Sequence, residues 1–279
     1  MGRLGVDLER ELAIAEHAAR AAGELVAMYY ARGPIPIETK PDRSPVTEAD
    51  REANARIIEV LRAAFPGDWI LSEEVPDDPA RLDHRRVWIV DPLDGTRDFV
   101  ARTGQFSVHV ALTVDGAAVV GAVYQPVPAA MYAAAAGGGA WRTRGGERTR
   151  LRVSAVREVA ALRVGTSRLN ATSRLGRFLA QTGLDGRAVP MGASVKHMAI
   201  TEGALDACIN LSPGEQEWDT CAPEVVIREA GGELTDGDGL PFRYNRPDLG
   251  HHRGSVASNG ACHATLVDLL APHLGDDTR

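Results

Sequence analysis

A chain of 279 residues, 44% hydrophobic and 25% charged, is long enough for one large domain or two coupled lobes and has the composition of a folded protein, not a disordered one. Its formal charge of -7 argues against a sequence-independent grip on nucleic-acid polymers, which needs a basic patch. An acidic chain can still bind a small phosphorylated metabolite when divalent cations on its carboxylates reverse the local field.

In chain order, Asp7 is placed to cap a first helix, in which Leu8, Leu12, Ala15, Ala19, Ala22, Val26 and Tyr29 recur at alternating spacings of four and three. Gly33-Pro34 ends it. After an extended stretch through Lys40, Thr47-Glu48-Ala49-Asp50 has the order of a capping box before the apolar Ile57, Ile58, Leu61 and Phe65. Trp69–Leu71 and Val87–Val90 are short apolar runs of strand type, each delivering acidic residues at its C-terminal end. The runs Ser107–Val114 and Ala117–Tyr124, joined by Asp115-Gly116, predict a hairpin in a mainly antiparallel sheet. The uncharged stretch Gly116–Trp141 is interrupted by Gln125, Pro126, Pro128 and Gly137–Gly139, so it predicts buried strands and no membrane span.

The second half alternates strand and helix: Arg163–Gly165, a helix from about Thr172 to Thr182, Ala188–Pro190, a helix around Ser194–Glu202, and Ala207–Asn210. A further helix is expected after Asp219, with Pro223 in its first turn and its end at Gly231-Gly232. The expected division is an N-terminal metal-binding lobe, residues 1–146, and a C-terminal substrate-binding lobe, residues 147–279, forming one catalytic unit. Cys208, Cys221 and Cys262 make no C-x-x-C pair, and the N-terminus lacks a basic start followed by an apolar run. Both features suit a reducing cytoplasm.

Chemistry concentrates in Asp91-Pro92-Leu93-Asp94-Gly95-Thr96, directly after a strand. Two carboxylates three residues apart at a strand end can reach a common point, and oxygen-only ligands select hard ions such as Mg²⁺. Glu73-Glu74, at the end of the preceding strand, would complete the cage. Taken singly, Asp94 and Asp219 fit equally well as helix N-caps, Asp91 as a turn residue and Asp50 as the partner in its capping box. If Asp94 caps a helix, Gly95 and Thr96 supply the first free N–H groups, an arrangement suited to phosphate. The histidines His197, His251 and His252 have no partners at zinc spacing, and Gly137–Gly139 lacks the ending of a phosphate-binding loop.

The Asp91–Thr96 segment resembles the first signature of the inositol monophosphatase superfamily, and Trp218–Pro223 through Glu229–Gly232 resembles its second. Val46–Asp50 and Ser72–Glu74 also match, in the family's order. The resemblance implies an αβαβα sandwich of alternating helix and sheet layers, with a mainly antiparallel first sheet and a mixed second one. It implies that Glu73, Asp91, the Leu93 carbonyl, Asp94 and Asp219 hold two or three Mg²⁺ ions, and that Thr96, paired with Asp50, orients and deprotonates an attacking water. Lithium sensitivity and a homodimer are implied as well.

Within the superfamily, Gly192-Ala193-Ser194-Val195-Lys196 at a strand-to-helix turn is similar to the 3'(2'),5'-bisphosphate nucleotidase branch, where a Ser-x-Lys contacts substrate phosphate. Arg168 looks like that branch's arginine near the nucleotide. Gly95, Thr96, Arg168, Ser194 and Lys196 are therefore the expected substrate contacts, and removal of the 3'-phosphate from 3'-phosphoadenosine 5'-phosphate is the expected reaction. Inositol phosphatases place a Glu seven residues before the second-signature Asp, where this chain has Ser212. Glu215 or Glu217 is the alternative for that role, which keeps an inositol or other sugar monophosphatase open, as well as a non-enzymatic metal- or nucleotide-binding regulator.

Overall fold

The computed structural model describes residues 8–40, 44–168, 173–192, 194–212 and 214–274; Asp7, Thr172, Ala193 and Pro213 lie outside the described residues. Helix α1 (Glu9–Arg32) buries a stripe of small residues, Ala15, Ala18, Ala19, Ala22 and Val26. Two short strands, β1 (Glu38–Thr39) and β2 (Pro45–Val46), pair antiparallel before α2 (Glu48–Ala64), which opens with the expected capping box at Thr47.

The next seven strands form one sheet in sequence order: β3 (Trp69–Ser72), β4 (Arg86–Asp94), β5 (Ser107–Val114), β6 (Ala117–Gln125), β7 (Ala130–Ala135), β8 (Gly139–Arg144) and β9 (Glu147–Arg150). The short helix α3 (Thr96–Val100) lies between β4 and β5. Only β3 and β4 pair parallel, so the mainly antiparallel expectation holds. Gly145 and Gly146 turn β8 into β9, so this sheet continues to Arg150.

The second sheet is mixed. It is built from β10 (Val164–Ser167), β11 (Ala188–Met191), β12 (Ala207–Asn210), β13 (Glu233–Asp236) and β14 (Ser255–Ser258), in the order β11-β10-β12-β14-β13. Helices α4 (Ser173–Thr182), α5 (Val195–Thr201), α6 (Glu217–Glu229) and α7 (His263–Leu270) pack on its two faces. The elements beyond Gly232 were not legible beforehand, because β13 and β14 are four residues each and loops separate them.

Side-chain alternation along the strands sorts the core into layers. Trp88 and Val90 of β4 and Val108, Val110 and Leu112 of β5 pack against α1 and α2. Val87, Ile89 and Ala111, on the opposite face, pack against Met198 of α5 and Ala222, Val225 and Val226 of α6. The other side of that helical layer meets Cys208 and Ala257 of the second sheet, whose far face carries Val164, Ile209 and Val256 under Phe178 of α4 and Leu266 of α7. The order α, β, α, β, α is the expected sandwich. Helix α6 approaches the first sheet so closely that a Cβ at Gly121 would lie 2.4 Å from the Ala222 carbonyl oxygen.

Two expectations about helix starts need correction. Helix α6 begins at Glu217, with Gln216 at the N-cap and Asp219 as the third residue of a capping box, so Asp219 is no N-cap and Pro223 sits in the second turn. The missing proline N–H then leaves the Asp219 carbonyl without its usual helical donor. At α3 the N-cap is Gly95, in the left-handed region at φ 89°, and Asp94 belongs to β4. At the other end of α6 the chain stops as expected: Gly231 N donates to Arg228 O and Gly232 N to Ile227 O, a Schellman closure.

Candidate metal centre and active site

A regular strand would send Asp91 and Asp94 to opposite faces, because they are three residues apart. The β4–β5 register instead slips between Asp91, opposite His109, and Asp94, opposite Ser107. That bulge at Pro92-Leu93 inserts one residue and re-aims Asp94. Asp91 continues the Val87–Ile89 line toward α6, whose first turn brings Asp219. Carboxylate oxygens of Asp91, Asp94 and Asp219 all lie within 4.8 Å of one another.

Each carboxylate of this rim is held by its neighbours. Asp91 Oδ1 accepts from Leu93 N at 2.9 Å, Asp219 Oδ2 from Gln216 N at 2.7 Å, and Asp94 Oδ2 from Ser194 N at 2.6 Å and Ser107 Oγ at 3.2 Å. Burial, and then the charges of Glu73, Asp94 and Asp219, push the Asp91 carboxyl well above the usual carboxylate range. Burial followed by the charge of Asp94 does the same to Asp219. Like charges packed this tightly repel unless a cation lies among them, and the donor set is oxygen alone, so the residues fit a hard divalent ion.

Glu73 lines the same cavity, yet its Oε1 accepts from Lys40 Nζ at 2.8 Å, and the same ammonium lies 2.5 Å from Glu74 Oε1. Burial raises the Glu73 and Glu74 pKa values, and the lysine opposes it. Sequence reasoning had passed over Lys40, because β1 is too short to show which way its neighbour points.

Asp50 serves two partners with two oxygens. Its Oδ2 accepts from Thr47 N at 2.8 Å and Thr47 Oγ1 at 2.6 Å, and its Oδ1 accepts from Thr96 Oγ1 at 2.9 Å. The capping reading and the Thr96 pairing, alternatives in the sequence, therefore coexist. Burial raises the Asp50 pKa against these hydrogen bonds.

The rim opens into a cavity of about 350 Å³ that is also lined by Gly95, Thr96, Ser194, Lys196, His197, Asn210, Ser212 and Glu215. Arg168 is not among the lining residues: it is exposed, and its guanidinium donates to the Pro190 carbonyl at 3.3 Å. The structure also separates the two glutamates. Glu215 faces the cavity with Oε1 held by Asn210 Nδ2 at 2.7 Å. Glu217 points away and accepts from Asn245 N at 2.7 Å and Arg246 N at 3.0 Å, with burial raising its pKa to about 7. His109 was missed, since a lone histidine within an apolar strand carries no sequence signal, and His197, without partners at zinc spacing, lines the cavity. The Gly137–Gly139 turn holds the Glu229 carboxylate, which accepts from Gly137 N and Gly139 N at 3.0 Å each.

Cys208, Cys221 and Cys262 are buried free thiols, and no helix among the described residues is long and apolar enough to cross a membrane.

The sequence profile of the inositol monophosphatase family matches residues 7–274. The chain is 36% identical over 228 residues to the 3'(2'),5'-bisphosphate nucleotidase CysQ of Escherichia coli, covering 81% of this chain and 90% of that protein. It is also 36% identical over 269 residues to the histidinol-phosphatase of Mycobacterium tuberculosis, covering 95% and 97%. Among solved structures, CysQ from Bacteroides thetaiotaomicron superposes with a TM-score of 0.76 at 30% identity, over 90% of this chain and 97% of that one. An IMPase from Thermotoga maritima gives 0.78 at 27% identity, over 95% and 99%. With its layered fold and acidic metal-binding cluster, the chain belongs to the inositol monophosphatase family and is a phosphatase of that superfamily.

Proposed function

We propose that the chain is a Mg²⁺-dependent 3'(2'),5'-bisphosphate nucleotidase, removing the 3'-phosphate of 3'-phosphoadenosine 5'-phosphate to give AMP and phosphate. The observation that carries this reading is the placement of Ser194 and Lys196 on the wall of the cavity whose rim holds the three aspartates. A cation in the same cavity as the acidic rim suits a second phosphate on the substrate. The names of the nucleotidase relatives point the same way.

Glu73, Asp91, the Leu93 carbonyl, Asp94 and Asp219 would hold two or three Mg²⁺ ions, which supply a lowered water pKa and neutralisation of phosphate charge. Thr96 gives its only hydroxyl hydrogen to Asp50 Oδ1, or to Leu93 O at 3.2 Å, so the lone pairs of Oγ1 are left to accept from the attacking water. Asp50, with its pKa raised by burial, is the base behind Thr96. The N–H groups that open α3 at Gly95 and Thr96 are donors for the phosphoryl oxygens, and Lys196 grips the phosphate that is not hydrolysed. Arg168 is assigned no substrate role.

A second reading, hydrolysis of inositol 1-phosphate or another sugar monophosphate, is favoured by Glu215, a carboxylate that lines the cavity and whose buried Oε2 has no hydrogen-bond partner among the described residues. A phosphate-release screen against the bisphosphate nucleotide, inositol 1-phosphate and fructose 1,6-bisphosphate decides between the two. The highest kcat/KM on the bisphosphate nucleotide supports the first reading, and a preference for inositol 1-phosphate overturns it.

A further inference from the structure

His109 is fully buried in the middle of β5, on the face that meets α6. An imidazole in such a place is costly unless both ring nitrogens are engaged. Its Nδ1 lies 3.1 Å from the Trp218 carbonyl oxygen, and its Nε2 lies 3.1 Å from Ser107 Oγ and 3.4 Å from Asp94 Oδ2. A carbonyl only accepts, so Nδ1 carries the hydrogen and donates it to Trp218. The Ser107 hydroxyl hydrogen then lies between two acceptors, His109 Nε2 and Asp94 Oδ2 at 3.2 Å.

We propose that His109 is a positioning residue for the cation site, a strut from β5 that fixes the first turn of α6, and with it Asp219, at the right distance from Asp94. The proposal rests on the reading of Asp94 and Asp219 as cation ligands. The two aspartates reach the site from different layers: Asp94 from the bulged end of the first sheet, Asp219 from the helical layer behind it. Their backbone hydrogen bonds, to Ser194 N and Gln216 N, tie each of them to the C-terminal half of the chain. Among the described residues, His109 bonds the peptide preceding Asp219 through Nδ1 and meets the Asp94 carboxylate through the Ser107 hydroxyl, since its unprotonated Nε2 has no hydrogen to donate to Asp94 Oδ2. Its place in register opposite Asp91 puts it beside the third carboxylate, on the same face of the sheet. Residues that orient metal ligands in this way typically change cation affinity ten- to a hundredfold when removed.

The test measures cation affinity by titration calorimetry with Mg²⁺ alone, so it needs no substrate and no turnover. His109→Phe fills the same space without nitrogens and is expected to weaken Mg²⁺ binding about ten- to a hundredfold. His109→Asn places an amide donor where Nδ1 stood, so it restores most of the affinity; His109→Gln reaches toward Ser107 instead and restores less. Melting temperatures without cation accompany each variant. Wild-type affinity in His109→Phe overturns the proposal, as does equal behaviour of the Asn and Gln variants, which also decides the matter if the Phe variant fails to fold. An affinity loss that only follows the loss of melting temperature through all three variants makes His109 an ordinary packing residue. Absence of Mg²⁺ binding in the wild-type protein is a different failure, since it removes the reading of the aspartates as ligands.

Discussion

The two walls of the cavity are built on opposite terms. On the rim, Asp91, Asp94 and Asp219 each accept a backbone N–H, and Asp50 and Thr96 are bonded to one another, so these side chains are held by the protein's own hydrogen bonds. On the facing wall, both ring nitrogens of His197 and Oε2 of Glu215 are buried without partners among the described residues. Buried polar atoms are rarely left so, and at a cavity wall they are completed by ligand or water. Preset chemistry beside an unfinished wall means that substitutions on the rim should cost turnover on any substrate, whereas those on the wall should depend on which substrate is offered.

The largest effect is expected at Asp94. Asp94→Asn should lower kcat about a thousandfold on every phosphate ester, because it removes a ligand charge while leaving an oxygen for Ser194 N. Its melting temperature without cation should not fall, since Asp94 is one of the charges that disfavour ionised Asp91 and Asp219. Unfolding in step with the loss of activity would make Asp94 a structural residue. Thr96→Ala comes next, with kcat down about a hundredfold, Mg²⁺ affinity unchanged and recovery in Thr96→Ser. Near wild-type kcat would remove Thr96 from the water-activating pair.

The wall is probed by Lys196→Ala, expected to lower kcat/KM for the bisphosphate nucleotide about ten- to a hundredfold and that for inositol 1-phosphate little. Equal losses on the two substrates would erase the distinction between wall and rim.

The smallest effect concerns the support behind the rim, where His251 Nε2 lies 2.8 Å from Thr220 Oγ1, one residue beyond Asp219. Burial, and then the charges of Arg246 and His252, hold the folded His251 pKa down at about 3. The unfolded value is about 6.5, so as pH falls below it the unfolded chain takes up a proton that the folded chain refuses. The stabilisation is complete above about pH 6.5 and is lost progressively toward pH 3. Between pH 7 and 5 this costs about 2 kcal/mol. In His251→Phe the urea-unfolding free energy should fall by that much less over the same interval; an unchanged pH dependence would mean that His251 is protonated without strain.

The sequence showed the rim better than the wall, for reasons visible in particular residues. Asp91 and Asp94 follow an apolar strand, so their position drew attention to them, whereas the capping box explains Asp50 by itself and only the family resemblance implied its pairing with Thr96. The bulge that aims Asp94 was hidden, because Pro92-Leu93 looks like the end of the strand and not an irregularity within it. The start of α6 was misplaced by three residues, since Gln216 is an unusual cap and Pro223 is tolerated in the second turn. Lys40 and His109 owe their places to contacts with residues far away in sequence, which no local spacing encodes. Arg168 and the choice between Glu215 and Glu217 depended on where loops turn.

The central claim is that the acidic rim works as a divalent-cation site for phosphoryl hydrolysis. Its most direct test is phosphate release from 3'-phosphoadenosine 5'-phosphate by the wild-type protein, first with Mg²⁺, then in excess EDTA, then with Mg²⁺ restored. Turnover should disappear with the chelator and return with the cation. Full activity in excess EDTA would contradict it.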